Sequence, residues 1–233
     1  KVRKALSLAI DRQAIVDTIL KGGQQPATAY IPPQIPGGSS SKDFRSEGKD
    51  YISLKADPEQ AKKLLAEAGY PDGKDFPKIT YIYNESSTHK AVAEALQAMW
   101  KKNLGIDVDL QVQEWKVFIS NRTNGNYEIA RHGYIADFND AGSLFDLWVS
   151  GSPNNDAKYN NPEYDRIVNA ATREQDPARR SELYHQAEDI LMNDMPIAPL
   201  FYYNIQYMLQ PYIKGMHISP LGWSFFRTVE IQK

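Results

Sequence analysis

The sequence predicts an α/β fold, a sheet flanked by helices, from the order of three patterns. A β-branched and aromatic run at 79–83 is followed by a helical apolar stripe from about Ser87 to Asn103. Strict alternation of apolar and polar residues then covers 106–113. This order is typical of a βαβ unit, whose right-handed crossover makes its two strands parallel. With a further strand at 127–135, we expect one mixed sheet.

The chain before this unit predicts two helices and a long loop. Apolar spacing over 2–21 indicates one amphipathic helix, which two glycines end. Pro, Gly and Ser dominate 24–55, so we expect a long irregular segment there. Asp57 as N-cap, Pro58 at the first helical position and Gly69 as terminator then predict a well-bounded helix.

The chain after the βαβ unit predicts four more helices and an extended end. Two are short, at 115–121 and 143–149, and two begin after Asn161 and Asp176, each followed by Pro. The last two carry apolar stripes and should pair. Extended chain follows through Tyr203. The tail is strand-like but poorly suited to a core of its own, since it is interrupted by Pro211, Gly215, Pro220 and Gly222.

Composition excludes several classes of function. The 233 residues are 42% hydrophobic and 24% charged, which is ordinary for a folded chain. A net charge of −2 offers no basic surface for nucleic acid, so no nucleic-acid partner is expected. The absence of cysteine excludes disulfides and thiol chemistry. No apolar run approaches the length that spans a bilayer.

Enzyme chemistry finds little support in the residues. No standard nucleophile, metal or phosphate-binding motif is present, and the four histidines lack the spacing of a helical metal site. His132 and Asp137 could form an acid/base pair of a peptide hydrolase, but no nucleophile accompanies them. We therefore expect no enzyme, no metal and no cofactor. The aromatic run that ends at Tyr203 is either core or a wall against an extended ligand.

The stretch 127–140 combines a strand pattern with most of the chemically useful side chains. As a strand it places Arg131, Gly133 and Ile135 on one face and His132 and Tyr134 on the other. Neither face is purely apolar. Two interpretations stay open: a strand that ends at a ligand cleft, or an edge strand with a solvated face.

Several segments in one order resemble a known family. The chain is similar to the C-terminal half of the bacterial oligopeptide-binding proteins of peptide ABC transporters, the family 5 extracellular solute-binding proteins. The matching segments are VRKALSLAIDR at 2–12, AKKLLAEAGY at 61–70, WKKNLGI at 100–106, QEWK at 113–116 and RHGYIADFN at 131–139. The last corresponds to the family's ligand strand, Arg-x-Gly-Trp-x-x-Asp-Tyr-Asn, with Tyr134 in place of Trp and Phe138 in place of Tyr.

The resemblance implies one lobe of a type II periplasmic-binding-protein-like fold and a set of ligand-binding residues. Two lobes would close over an extended peptide, with Asp137 pairing with the peptide amino group. Arg131, Arg122 and His89 match positions that meet the peptide carboxylate, directly or through water. The resemblance also implies that the ligand contacts Gly133, Tyr134, Ile135 and Tyr203. From the residues alone, Asp137 is equally suited to a turn or to the N-cap of the helix near Ser143.

The implied protein is a monomeric, non-enzymatic receptor that delivers oligopeptides to a membrane permease. It would act in the periplasm or at the outer face of the membrane, lipid-anchored if the source is Gram-positive. The same fold could instead carry a dipeptide, murein peptide, pheromone or nickel complex. Because family members are about twice as long, we expect 1–203 to form the second lobe and 204–233 to return to a first lobe whose remainder is missing here.

Overall fold

The computed structural model describes residues 1–39, 42–219 and 221–232. Parts of two sequence expectations lie outside these residues. They are Ser40 and Ser41 in the long irregular segment, and Pro220 and Lys233 in the strand-like tail.

A three-stranded sheet forms the centre of the structure. Its middle strand is Ile79–Asn84 (β2), with Val108–Gln113 (β3) on one side and Ile129–Ala130 (β4) on the other. Helix Ser87–Leu104 (α5) joins β2 to β3, and helix Trp115–Asn124 (α6) joins β3 to β4. Both strand pairs are parallel. The βαβ unit and the α/β class are confirmed, but the described strands of this sheet are not mixed, because each connection is a helical crossover.

The third strand is shorter than the expected 127–135. Only Ile129–Ala130 forms ladder pairs, and Arg131 adds one further bond from its N–H to a carbonyl of β2, at 2.9 Å. Beyond it the ring of Tyr203 packs against Gly133, where an added Cβ would lie 3.2 Å from the ring. The aromatic ring therefore lies beside the point at which the chain leaves the sheet, and alternation in the sequence does not reveal it.

The single helix expected over 2–21 is interrupted. Helix Val2–Leu8 (α1) ends before a short break, Arg12–Ala14 (α2) follows, and Ile15–Leu20 winds on as a wider π-helix. The Asp11 side chain accepts from the N–H of Ala14 at 2.8 Å and so caps the second piece.

The break has a cause in the side chain of Arg12, which is 1% exposed. Its guanidinium donates to the carbonyls of Ser7 (3.1 Å), Ile10 (3.3 Å) and Pro199 (2.7 Å), and to the Ser7 hydroxyl at 2.8 Å. Burial lowers the pKa of Arg12 to about 10. The buried cation thus donates to carbonyls at the break and connects the N-terminal helices to Pro199, which is remote in the chain.

The remaining helices lie close to the expected positions. Asp57 caps its helix by accepting from the N–H of Gln60 at 3.0 Å, as the sequence predicted. The long segment 24–55 is mostly irregular, as expected. The elements are Gln25–Pro26 (β1), Phe44–Glu47 (α3), Pro58–Glu67 (α4), a 3-10 turn Pro71–Gly73, Gly142–Phe145 (α7) with a 3-10 turn Asp146–Trp148, Pro162–Arg173 (α8), Pro177–Asp194 (α9) and Phe201–Tyr202 (β5), which pairs antiparallel with β1.

Two large apolar cores meet at the stretch that follows β4. The first packs α1, α4 and α5 on the sheet and includes Tyr81 and Trp100. The second packs α7, α8 and α9 on the long segment and includes Trp148. Ile129 contacts the first core and Tyr134 the second. The chain between these residues therefore crosses from one core to the other.

The tail is strand-like, as expected, but adds little to either core. Ile213–Lys214 (β6) pairs with Glu230–Ile231 (β9), and His217–Ile218 (β7) pairs with Ser224–Phe225 (β8), both antiparallel. Large apolar side chains such as Met208 stand in solvent. Among the helices that the structure describes, none combines the length and hydropathy needed to cross a membrane.

Candidate ligand-binding site

The candidate site lies at the carboxyl edge of the parallel sheet. β2 runs into the start of α5, which carries His89, and β4 runs into 131–137. Because the strands are parallel, these carboxyl ends lie along one edge. In open α/β sheets this edge is where ligands bind.

The main chain of 132–136 is held at both ends and free between them. At one end Arg131 donates its N–H to Ile82 at 2.9 Å, and at the other Asp137 donates its N–H to the Ser143 hydroxyl at 2.7 Å. Within the described ranges, the peptide groups of 132–136 have no hydrogen-bond partner. Free peptide groups in a fixed segment can pair with another extended chain.

Asp137 is exposed at the end of this segment. Its Oδ2 accepts from the Tyr134 hydroxyl at 2.8 Å, and this bond raises the pKa of Tyr134 above its usual value. Helix α7 has Ala141 at its N-cap and no side-chain cap, and the nearby Asp140 accepts from the N–H of Gly142 at 2.8 Å. The N-cap interpretation of Asp137 was therefore wrong, and its carboxylate remains available.

Arg131 stands at the other end of the segment. Its Nη2 donates to the Tyr203 hydroxyl at 2.7 Å, so these two predicted site residues are in contact. His89 is close enough that the charge of Arg131 adds to burial in lowering the His89 pKa. Its Nδ1 lies 3.4 Å from the Asn84 carbonyl oxygen. The structure thus gathers a cation, an imidazole and a phenol at the same edge of the sheet.

A nearly buried ion pair lies behind the segment. Arg122 Nε donates to Asp156 Oδ2 at 2.6 Å, and His132 Nε2 lies 3.7 Å from the same oxygen. Burial, then the charge of Arg122, lowers the pKa of His132 to about 4 despite the nearby Asp156. His132 is therefore neutral at pH 7. Arg122 thus donates its Nε–H to a partner inside the protein. Its contact with a ligand stays a prediction.

The structure gives His132 and Asp137 separate surroundings. The His132 ring lies 5.4 Å from that of Trp148 and beside the buried pair, whereas the Asp137 carboxylate bonds Tyr134. An acid/base pair needs its members within hydrogen-bond reach of one shared reactant. No hydrogen bond joins the two side chains in the described part of the molecule, so the geometry adds no support for the hydrolase alternative.

The comparisons with known proteins agree with this architecture. The model of the bacterial extracellular solute-binding proteins, family 5, middle region, matches residues 1–156. The chain belongs to this family. The oligopeptide-binding protein OppA of Bacillus subtilis (strain 168) is 37% identical over 227 residues, which are 97% of this chain and 41% of the relative.

Two further proteins have similar sequence identity to this chain. The periplasmic murein peptide-binding protein MppA of Escherichia coli (strain K12) is 37% identical over 234 residues, 100% of this chain and 43% of the relative. The crystal structure of Haemophilus influenzae OppA in complex with RPPGFSPFR has a TM-score of 0.82 and 35% identity, covering 100% of this chain and 45% of that one. The chain thus spans about two-fifths of the length of the curated family 5 relatives it matches.

Two residues of the site have no signal in the sequence. Asp156 ends a loop of small and polar residues, and Ser143 lies in the first turn of a short helix. Neither stands in a motif: Asp156 acts through Arg122, 34 residues earlier in the chain, and Ser143 acts through the backbone N–H of Asp137, six residues earlier. Across the described part of the chain no group of three or more potential metal ligands is gathered.

Proposed function

We propose that this chain is the second lobe, 1–203, and the returning C-terminal segment, 204–233, of a receptor that binds oligopeptides for an ABC transporter. The observation that carries the proposal is the segment 132–136, whose free peptide groups lie between Arg131 and Asp137. The carboxylate of Asp137 is complementary in charge to the amino terminus of a peptide, and the guanidinium of Arg131 is complementary to its carboxyl terminus.

The proposed binding mode follows from these contacts. Peptide groups of Gly133, Tyr134 and Ile135 would pair with the ligand main chain, which every sequence shares. Asp137 would hold the amino group. Arg131, with His89, Arg122 and bridging water, would meet the carboxylate. Tyr203 would flank the ligand beside Arg131. Such a site binds the two termini and the main chain of the peptide ligand, so it tolerates many ligand side chains.

The rest of the proposed receptor explains the tail. A cleft that encloses a ligand needs two walls, and this chain offers one. The apolar side chains of 204–232 would be covered by the first lobe. The receptor would work as a monomer without cofactor or nucleic acid, in the periplasm or at the outer face of the membrane, where it meets its permease.

A murein peptide is the second candidate cargo. The support is the 37% identity with the murein peptide-binding protein of Escherichia coli over 100% of this chain. A dipeptide, pheromone or nickel complex would use the same fold, but nothing in the site favours them.

Mass spectrometry of ligand retained by the complete two-lobed protein would separate these cargos. We expect a mixture of short peptides with free termini. Titration calorimetry with tri- to pentapeptides and with a murein tripeptide would rank them, and recovery of each peptide uncut would exclude hydrolysis. Failure of every linear peptide to bind would overturn the proposal.

A further inference from the structure

The hydroxyl of Tyr134 donates to Asp137 Oδ2 at 2.8 Å. We propose that Tyr134 is a positioning residue, whose hydroxyl orients the Asp137 carboxylate and so sets how strongly a free amino terminus is recognised. The inference rests on the proposed function. The family pattern quoted above has Trp at this position, a side chain without a hydroxyl.

The Tyr134 ring is fixed by apolar contacts. It is partly buried and packs against the second core. A phenol has few rotatable bonds, and a ring held by packing presents its hydroxyl in one place at little further entropic cost. The hydroxyl is therefore a fixed donor at the rim of the site. Its pKa is raised, first by the bond to Asp137, so it stays protonated at neutral pH.

Asp137 by contrast is exposed and needs support. Its N–H is held by the hydroxyl of Ser143, a residue only 4% exposed. Its Oδ2 is held by Tyr134, whereas Oδ1 has no partner in the described part of the molecule. Asp137 is thus held at its backbone by Ser143 and at Oδ2 of its carboxylate by Tyr134, and Oδ1 is left over. A ligand ammonium would find that oxygen already oriented, which lowers the entropy lost on binding.

The test uses Tyr134→Phe in the complete two-lobed protein, because this change keeps the ring and removes only the hydroxyl. Calorimetry would compare a tripeptide with its N-acetylated form. We expect the free tripeptide to bind about three- to tenfold more weakly than to wild type, and the acetylated form to change by less than about twofold. The ratio between the two affinities should therefore shrink about three- to tenfold.

Tyr203→Phe is the matched control, since it removes the other phenolic hydroxyl that bonds a charged residue of the site. Its overall affinity is free to change, because Tyr203 belongs to the site, but the acetylation ratio should equal that of wild type. In the 233-residue chain, the NMR signal of the Asp137 carboxyl carbon should shift in Tyr134→Phe and stay in place in Tyr203→Phe.

The outcomes separate this inference from the function on which it rests. Equal losses for both tripeptides in Tyr134→Phe, or an unmoved Asp137 signal, would overturn the role of Tyr134 while oligopeptide binding stands. A wild-type protein that binds free and acetylated tripeptides equally would overturn both this role and the amine anchor. Failure of the wild type to bind these tripeptides and every other linear tri- to pentapeptide would overturn the proposed function itself.

Discussion

Residues 1–203 and the tail 204–232 differ in how far their apolar side chains are buried. The first region packs two large cores and even buries Arg12 and Glu188, each with partners. The tail leaves Met208 fully exposed, and Trp223 and Phe226 each 66% exposed. Its side chains reach back to the first region at Gly22, whose carbonyl accepts from Asn204 at 2.6 Å.

The difference shows what a strand pattern does and does not reveal. Both regions contain alternating apolar residues, but only the first supplies the surfaces that cover them. A region with its own hydrophobic core can fold by itself. Strands with exposed apolar side chains indicate a surface that another part of a protein covers. This is the arrangement expected if the tail completes a lobe that lies outside the chain.

The largest expected effect lies in the first region, at Arg45. Its Nη1 donates to the fully buried Glu188 at 2.8 Å, which also accepts from the N–H groups of Tyr30 and Ile31. Because Arg45→Met leaves a buried carboxylate without its cation, we expect a loss of about 3–5 kcal/mol in the free energy of unfolding at pH 8.

Urea unfolding followed by circular dichroism would measure this loss. Met208→Ala in the tail is the control and should change the free energy of unfolding by less than about 0.5 kcal/mol. If the two variants lose similar amounts, the contrast between the regions would fail.

The second effect is the pH dependence caused by His132. Its pKa is lowered to about 4 in the folded protein, chiefly by burial, and is about 6.5 in an unfolded chain. As pH falls from about 6.5 towards 4, the unfolded chain takes up a proton on His132 while the folded protein does not. The free energy of unfolding therefore decreases over this range. We expect this loss to reach about 2–3 kcal/mol.

Urea unfolding at several pH values would compare wild type, His132→Asn and a tail variant that changes no titratable group, Met208→Ala. The first variant should flatten the slope between pH 6.5 and 4, and the second should keep the wild-type slope. His89 and His185 also have lowered pKa values, so some slope should remain in all three proteins. An unchanged slope in His132→Asn would contradict the account.

The smallest effect on stability is expected in the tail itself. Replacing Trp223 and Phe226 together by Ser should change the free energy of unfolding by less than about 1 kcal/mol, because both are about two-thirds exposed. The same change should clearly reduce the fluorescence of bound anilinonaphthalene sulfonate, since it removes exposed apolar surface. A large loss of cooperativity would show that the tail belongs to the core of this chain.

Local signals in the sequence were reliable where the cause is local. The Asp57 cap and the Pro-opened helices α8 and α9 depend on neighbouring residues, and all lie where expected. The break between α1 and α2 was not predicted: Asp11 is a local cap, but the burial of Arg12 depends on the carbonyl of Pro199, 187 residues away. An arginine on a helical pattern usually indicates the solvent face.

The candidate site shows the same division. The resemblance picked out Asp137 and Arg131, which lie at the two ends of the free segment. Neither pattern nor resemblance indicated that Asp156 would hold Arg122 and face His132, since those contacts span more than twenty residues. The sequence also did not reveal that the ring of Tyr203, remote in the chain, lies beside the end of β4.

The central claim is that Asp137 receives the peptide amino group in the complete protein, and one double comparison tests it most directly. Calorimetry would measure a tripeptide and its N-acetylated form against wild type and Asp137→Asn. Truncating one partner of an enclosed ion pair costs roughly 2–5 kcal/mol, so the free tripeptide should bind the variant about 30-fold or more weakly. Acetylation should weaken wild type by a similar factor and the variant by little more. Equal losses on acetylation in both proteins would show that the amine is bound elsewhere.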